Sequence, residues 1–170
     1  MNSCSHIQSF FEQPCETLEQ CKAVRQRTTQ PLILDECLHD IQDLNRMTNN
    51  SIAELANIKI GRVGGLTKAK QMRDFCVSFG IKMNIEETGG TFLADSAAVH
   101  LAQSTPTEFH HATWLCGDML NENLLTNNHY SNNIAGGAVK APNGPGLGVA
   151  PNINILGQPF LEVSKNKLTI

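Results

Sequence analysis

Two hydrophobic rhythms alternate along this chain. Short apolar runs, HIQSFFE (6–12), PLILD (31–35), LANIKI (55–60), IKMNIEE (81–87) and EFHHAT (108–113), have the length and composition of buried strands. The segments between them repeat their apolar residues at helical spacing. Thr17-x-x-Gln20 resembles a capping box and opens a helix predicted to end near Thr29. Leu38, Ile41, Leu44 and Met47 mark a second helix, and Leu66, Ala69, Met72, Phe75, Cys76 and Phe79 line one face of a third. Gly80 stands where a helix ends in a left-handed residue. Leu93, Ala94, Ala97, Ala98, Leu101 and Ala102 provide a fourth helix with a close-packing face. Beyond the fifth strand the pattern dissolves.

The strands end at Glu12, Asp35, Lys59, Glu86 and about His111, so a strand–helix unit recurs roughly every 25 residues. That pitch predicts a parallel α/β architecture, most economically a (β/α)8 barrel, with a doubly wound sheet as the alternative. No G-x-G-x-x-G follows any strand, which weighs against the second. GRVGG (61–65) reads as a tight turn into the third helix, with anion binding at that helix start as a lesser reading.

Parallel barrels place chemistry at the C-terminal ends of their strands. Here those ends hold Glu12, Asp35 with Glu36, Lys59, and Glu86 with Glu87. A lone acid at a strand end is ordinarily a solvated terminus, but successive ionisable ends in phase point to a shared site. Carboxylates without His or Cys in register suit a hard divalent cation held through oxygen, with Glu12 and Asp35 as ligands. Lys59 on the next strand would be repelled by that cation and desolvated by the barrel, and both effects lower its pKa toward general-base range. Metal plus lysine is the equipment for removing a proton α to a carboxylate. The competing reading of Lys59 is an ion pair with Asp35 or Glu36.

Composition narrows the class further. The 170 residues are 41% hydrophobic and 17% charged, as in a globular, soluble domain with a real core. A net charge of −3 and the lack of a Lys/Arg run argue against a nucleic-acid partner. No stretch reaches the roughly 18 apolar residues that cross a bilayer, and the start lacks a signal-peptide pattern, so a cytoplasmic location is expected. Cys4, Cys15, Cys21, Cys37, Cys76 and Cys116 show no C-x-x-C spacing and are expected to be reduced thiols.

FFEQPC, LILDECL, NIKIGRVGGLTKA and IEETGGTFLADSAAVHLA resemble, in this order, the second half of the catalytic barrel of enolase-superfamily enzymes in the mandelate racemase/muconate lactonizing group. GGAVKAPNGPGLGVAPN is similar to that group's C-terminal segment, which returns toward a capping domain. The resemblance runs from about Ile7 to Asn152. It implies an α/β fold comprising about strands 4–8 of a (β/α)8 TIM-type barrel in residues 1–120. Residues 121–170 are then an extension packing toward the capping domain. It further implies that Glu12 and Asp35 ligate Mg²⁺ (with Mn²⁺ as the alternative). Lys59 becomes the acid/base lysine of the sixth barrel strand, with Glu36 close beside it. The seventh strand offers Glu86 and Glu87 rather than His, which resembles the lysine-based branch. His110 and His111 are then expected to face one the barrel and one the helix layer.

For substrate, Glu86 and Glu87 could hold an ammonium, and Trp114, following the eighth strand, could meet a cationic amine through its ring or simply pack at the rim. EQPC, EETGG and TWL look similar to members acting on proline-type amino acids, hydroxyproline-betaine epimerases and cis-3-hydroxyproline dehydratases. Gly89 and Gly90, directly after Thr88, depart from the Trp those enzymes tend to carry there. The implied partner is a small-molecule carboxylate, and full-length members are expected to be homo-oligomers. The family's K-x-K motif and third metal ligand lie on strands that eleven residues before Glu12 cannot supply. The chain is therefore expected to be the C-terminal part of an enzyme with negligible activity alone. An inactive barrel fragment or assembly subunit, and a muconate-type cycloisomerase, are the alternatives. NENLLTNNHYSNN (121–133) is expected as an excursion near the active-site mouth or a plain surface loop.

Overall fold

The computed structural model describes residues 6–87, 89–120, 124–126, 136–158, 161–164 and 167–169. Five parallel strands follow one another in sequence order: β1 (Phe11–Glu12), β2 (Leu32–Leu34), β3 (Leu55–Lys59), β4 (Lys82–Glu86) and β5 (His110–Trp114). A doubly wound sheet reverses its strand order at a switch point, and this order never reverses. The crossovers are α1 (Leu18–Arg25), α2 (Ile41–Asn49), α3 (Ile60–Val63) with α4 (Leu66–Ser78), and α5 (Phe92–Gln103). The arrangement is the C-terminal part of a (β/α)8 barrel. After a 3₁₀ turn at Gly117–Met119 come α6 (Ile153–Leu156) and the antiparallel pair β6 (Glu162–Ser164) and β7 (Lys167–Thr169). No helix among the described residues is long and apolar enough to cross a membrane.

Local chemistry explains the element boundaries. The expected capping box forms: Gln20 N donates to Thr17 Oγ1 (3.3 Å) and Thr17 N to Gln20 Oε1 (3.2 Å). α1 stops at Arg25 rather than near Thr29, because Arg25 turns its guanidinium back onto Thr28 O at 2.6 Å and onto Glu54. Asp40 caps α2 through the N–H groups of Gln42 and Asp43, so Leu38 lies ahead of the helix, buried. Between α3 and α4 the chain turns a corner with φ of 88° at Gly64 and 109° at Gly65, values that side chains with a Cβ rarely adopt. The first apolar run contributes only Phe11 and Glu12 to the sheet, where they pair with Leu32 and Ile33 of β2.

Strand alternation divides the residues between two faces. Leu34, Ala56, Ile58, Met83 and Ile85 meet Leu44, Met47, Met72, Cys76, Ala98 and Leu101 of α2, α4 and α5 in one buried core. Burying this much apolar surface is the main stabilising term, and it fixes the register: a slip by one residue would turn Asp35, Lys59 and Glu86 into the oil. The opposite face of the same strands carries Asn57, Lys59, Asn84 and Glu86. The described cysteines, Cys15, Cys21, Cys37, Cys76 and Cys116, are free thiols. Burial pushes the Cys76 thiol up to about 12 and makes it inert.

The Asn-rich stretch expected near the mouth lies outside the described residues except for 124–126, where Leu125 is buried and bridges to Pro151.

Candidate functional site

Register puts the polar residues in layers. Lys59 of β3 pairs with Glu86 of β4, and Glu86 with Trp114 of β5, at the C-terminal end of the sheet. Asp35 follows β2 directly, and Glu12 ends β1. Sequence periodicity brings these residues to one rim; their distances depend on how the sheet curls.

Asp35 is the hub. It is buried, and Lys59 Nζ donates to its Oδ2 at 2.5 Å while Arg62 Nη1 donates to Oδ1 at 2.7 Å. Burial pushes its carboxyl up, but the hydrogen bonds from Lys59 and Arg62 outweigh burial and hold it below the ordinary carboxylate range. Arg62 is itself fixed by donating from Nε to Leu38 O (2.9 Å) and from Nη2 to Asn57 O (3.0 Å). From the other side, Gln13 Oε1 accepts from Asp35 N at 2.6 Å. Gln13 adopts φ of 35°, in the left-handed region uncommon for a residue with a Cβ, and its Nε2 donates to Cys15 O at 2.7 Å. Asp35 thus sits in a socket built by three strand ends.

The Lys59 pKa, expected to fall beside a bound cation, is set here by burial and its acidic neighbours alone. Burial lowers it, but the hydrogen bond to Asp35 and the charges of Asp35, Glu86 and Glu36 outweigh burial, so its pKa is raised. The ion pair weighed against the general-base reading is present here: Lys59 meets Asp35 and also Glu36 Oε1 at 3.6 Å. Glu36 itself is largely exposed.

Glu12 belongs to a directed chain of hydrogen bonds. Asn57 Nδ2 donates to Glu12 Oε1 (2.9 Å), Asn84 Nδ2 donates to Asn57 Oδ1 (2.8 Å), and His111 Nδ1 lies 2.8 Å from Asn84 Oδ1. Because an amide oxygen only accepts, Nδ1 of His111 must carry a proton. A register shift at Met83/Asn84 makes His111 the extra residue of β5 and directs it onto the polar face. His110, register partner of the core residue Met83, faces the helix layer, and both histidines border a cavity with Val99, Ala102 and Trp114.

Glu86 differs from its neighbours. It is 6% exposed, and its Oε1 is buried without a hydrogen-bond partner. Burial and the adjoining Asp35 charge push its carboxyl up to about 7, with Glu12 adding to the effect and Lys59 only partly opposing it. Oxygens of Glu12, Asp35 and Glu86 all lie within 4.8 Å of one another. An all-oxygen donor set with an orphaned buried carboxylate oxygen fits a hard divalent cation such as Mg²⁺.

The rim residues divide. Trp114 is the last residue of β5, not a residue after it, and is 61% exposed on the edge of the sheet beside Glu86. Glu87 turns away from Glu86: its Oε1 accepts from Gly61 N, and its carbonyl accepts from Cys116 Sγ at 2.7 Å. GRVGG therefore folds as α3 and a glycine corner leading into α4, and Gly61 N, in the first turn of α3, is taken by this chain's own Glu87. Asp95, buried on α5, accepts from Cys116 N (3.0 Å) and Gly117 N (2.7 Å), fixing the loop after β5. Sequence reading missed Arg62, Gln13 and the Asn57–Asn84 chain. Asn57 and Asn84 stand two residues before Lys59 and Glu86, so counting back by two along each strand would have found them.

Residues 5–155 match the family described as enolase C-terminal domain-like. The chain is 40% identical over 167 residues to a cis-3-hydroxy-L-proline dehydratase of Roseibium aggregatum, covering 94% of this chain and 43% of that protein. It is 31% identical over 155 residues to an N-succinylamino acid racemase of Amycolatopsis sp, covering 88% and 40%. Among solved structures, a member of the enolase superfamily from Roseovarius nubinhibens complexed with magnesium superposes with a TM-score of 0.80 at 43% identity, covering 90% of this chain and 41% of that one. The chain thus spans about two-fifths of the length of these relatives.

Proposed function

We propose, because the chain belongs to the enolase C-terminal domain-like family of the mandelate racemase/muconate lactonizing group, that it carries the cation-binding and lysine side of a site that removes the proton α to a carboxylate. The observation behind this reading is the convergence of Glu12, Asp35 and Lys59 from neighbouring strand ends on one sheet face. Glu12 and Asp35 would hold Mg²⁺, or Mn²⁺ in its place. A divalent cation bound there supplies positive charge for a substrate carboxylate and opposes the acidic field that now holds the Lys59 proton. Lys59 Nζ takes or returns the proton at the substrate α-carbon. Arg62, locked on two carbonyls, keeps Asp35 oriented while Lys59 works, and Glu36 steadies the ammonium from the exposed side. The Asn84–Asn57 chain sets the Glu12 rotamer.

The substrate class is an amino-acid-type carboxylate, proline-derived by the likeness to the hydroxyproline dehydratase. Trp114 and Glu86, register partners, would flank its amine. Glu87 is left out of that role, since its carboxylate is spent on Gly61 N. Racemisation, epimerisation and dehydration share this first proton removal, so the reading stands for all three.

The test is to follow Lys59 by NMR with ¹³C-labelled lysine, using Lys59→Ala for assignment. Mg²⁺ should lower the Lys59 titration midpoint in the wild-type chain and not in Asp35→Asn. A midpoint indifferent to Mg²⁺ in both would refute the cooperation of cation and lysine. A second reading rests on the chain spanning about two-fifths of its relatives: it binds the cation but turns over negligibly by itself. Deuterium exchange at the α-carbon of cis-3-hydroxy-L-proline at ordinary enzymatic rates would sink that one.

A further inference from the structure

We propose that Gln13 is a positioning residue of the cation site: its side-chain amide takes over a main-chain bond that β1 no longer makes, and so sets where Asp35 stands. The inference rests on the reading of Asp35 as a cation ligand given above and adds a residue that acts through it.

β1 and β2 pair as a parallel ladder, in which the main-chain bonds recur at every second residue. Phe11 N donates to Pro31 O and Gln13 N to Ile33 O, each at 2.9 Å. The next bond of that series would run from Asp35 N to the carbonyl of Gln13. Instead Asp35 N donates to Gln13 Oε1 at 2.6 Å. The chain leaves the ladder at this point: Gln13 has φ of 35°, and Pro14 follows, which has no N–H to offer. The side-chain amide thus stands in for the carbonyl of its own residue, and ladder support reaches Asp35 beyond the end of β1.

The amide is pinned at both ends. Its Oε1 faces two donors, Asp35 N and Cys37 Sγ (3.5 Å), while its Nε2 donates to Cys15 O at 2.7 Å. Turning it over would set donor against donor and oxygen against oxygen. The backbone carries a cost for this arrangement. A residue with a Cβ rarely adopts positive φ, and one before proline ordinarily favours extended backbone. Such a conformation persists where surrounding contacts over-determine it, and it clusters at functional sites. Asp35 is 1% exposed, so without Gln13 its N–H would be a buried donor cut off from solvent. The main chain would relieve that by shifting, and the carboxylate would shift with it. Lys59 and Arg62 hold the Asp35 carboxylate; Gln13 holds the main chain that carries it.

Calorimetric titration of the 170-residue chain with Mg²⁺ alone, without substrate, tests the assignment. Wild type is compared with Asp35→Asn and with two changes at Gln13. Gln13→Met keeps the length of the side chain but loses its amide, and Gln13→Gly also frees the backbone of its strained φ. Thr17→Ala serves as the control, since it removes the capping box of α1 and lowers stability without touching the site. Melting curves give a temperature at which every variant is folded, and the titrations are run there. Wild type and Thr17→Ala should bind alike, and both Gln13 variants should bind about tenfold more weakly or worse. Amide hydrogen exchange at Asp35 should quicken in both, because its N–H has lost the Gln13 acceptor. If either Gln13 variant binds as wild type does while Asp35→Asn does not, the amide does not place the ligand; the proposal is overturned and the cation reading stands. If the wild-type chain binds no Mg²⁺, or Asp35→Asn binds as wild type does, the cation reading falls and takes this proposal with it.

Discussion

Replacing Glu86 by glutamine should stabilise the chain increasingly as pH rises from about 4.5 to about 7. Glu86 is 6% exposed, and burial with the Asp35 charge moves its carboxyl from the ordinary 4.5 up to about 7. The folded state therefore holds this proton more tightly than the unfolded chain does. Stability from this group is full below about 4.5 and is lost as pH rises through about 7, the reverse of a salt-bridged carboxylate. A displacement of that size corresponds to about 3 kcal/mol by pH 8. In a chain of this length, it translates to roughly 6–12 °C of melting temperature. Glutamine cannot ionise, so it escapes this loss, although its amide is also a buried polar group and adds a constant cost. The diagnostic quantity is thus the change in the mutant-minus-wild-type difference between pH 4.5 and pH 8. It is read from urea unfolding of both chains in the presence of a chelator. A difference that stays constant across this range would refute the argument, because it would mean that folding leaves the Glu86 proton as free as it is in the unfolded chain.

Two further substitutions probe the scaffold of the site. Arg62→Ala strips one partner from buried Asp35 and removes a donor from the Leu38 and Asn57 carbonyls, so unfolding free energy should fall by about 3 kcal/mol; a loss under about 0.5 kcal/mol, the range of ordinary surface changes, would contradict the hub role of Asp35. Gly117→Ala would place a Cβ 2.6 Å from Phe92 Cε1 and 2.8 Å from Asp95 Oδ2. It should cost about 1–3 kcal/mol in the same assay and loosen the loop after β5, seen as faster amide exchange at Cys116 and Gly117; unchanged exchange would mean that the loop does not depend on this close approach.

The sequence alone determined the parallel strand–helix order, the helix face and polar face of each strand, and which ionisable residues stand at the strand ends. These follow from periods of 2 and 3.6 and from local caps such as Thr17–Gln20 and Asp40, which need no distant partner. It also carried the family resemblance that the match over residues 5–155 bears out. Where a feature depended on neighbours, the sequence fell short. Only two residues of the first apolar run became strand, because only Phe11 and Glu12 find register partners on β2. Trp114 joined β5 and His111 reached the polar face because of a register shift between strands. Glu86 and Glu87 are adjacent acids, alike on paper; the fold buries the first among charges and turns the second onto a backbone N–H. Lys59 illustrates the same limit, since its proton affinity is a sum of burial and through-space charge. Such energies depend on distance and solvent exclusion, and only the tertiary structure decides those.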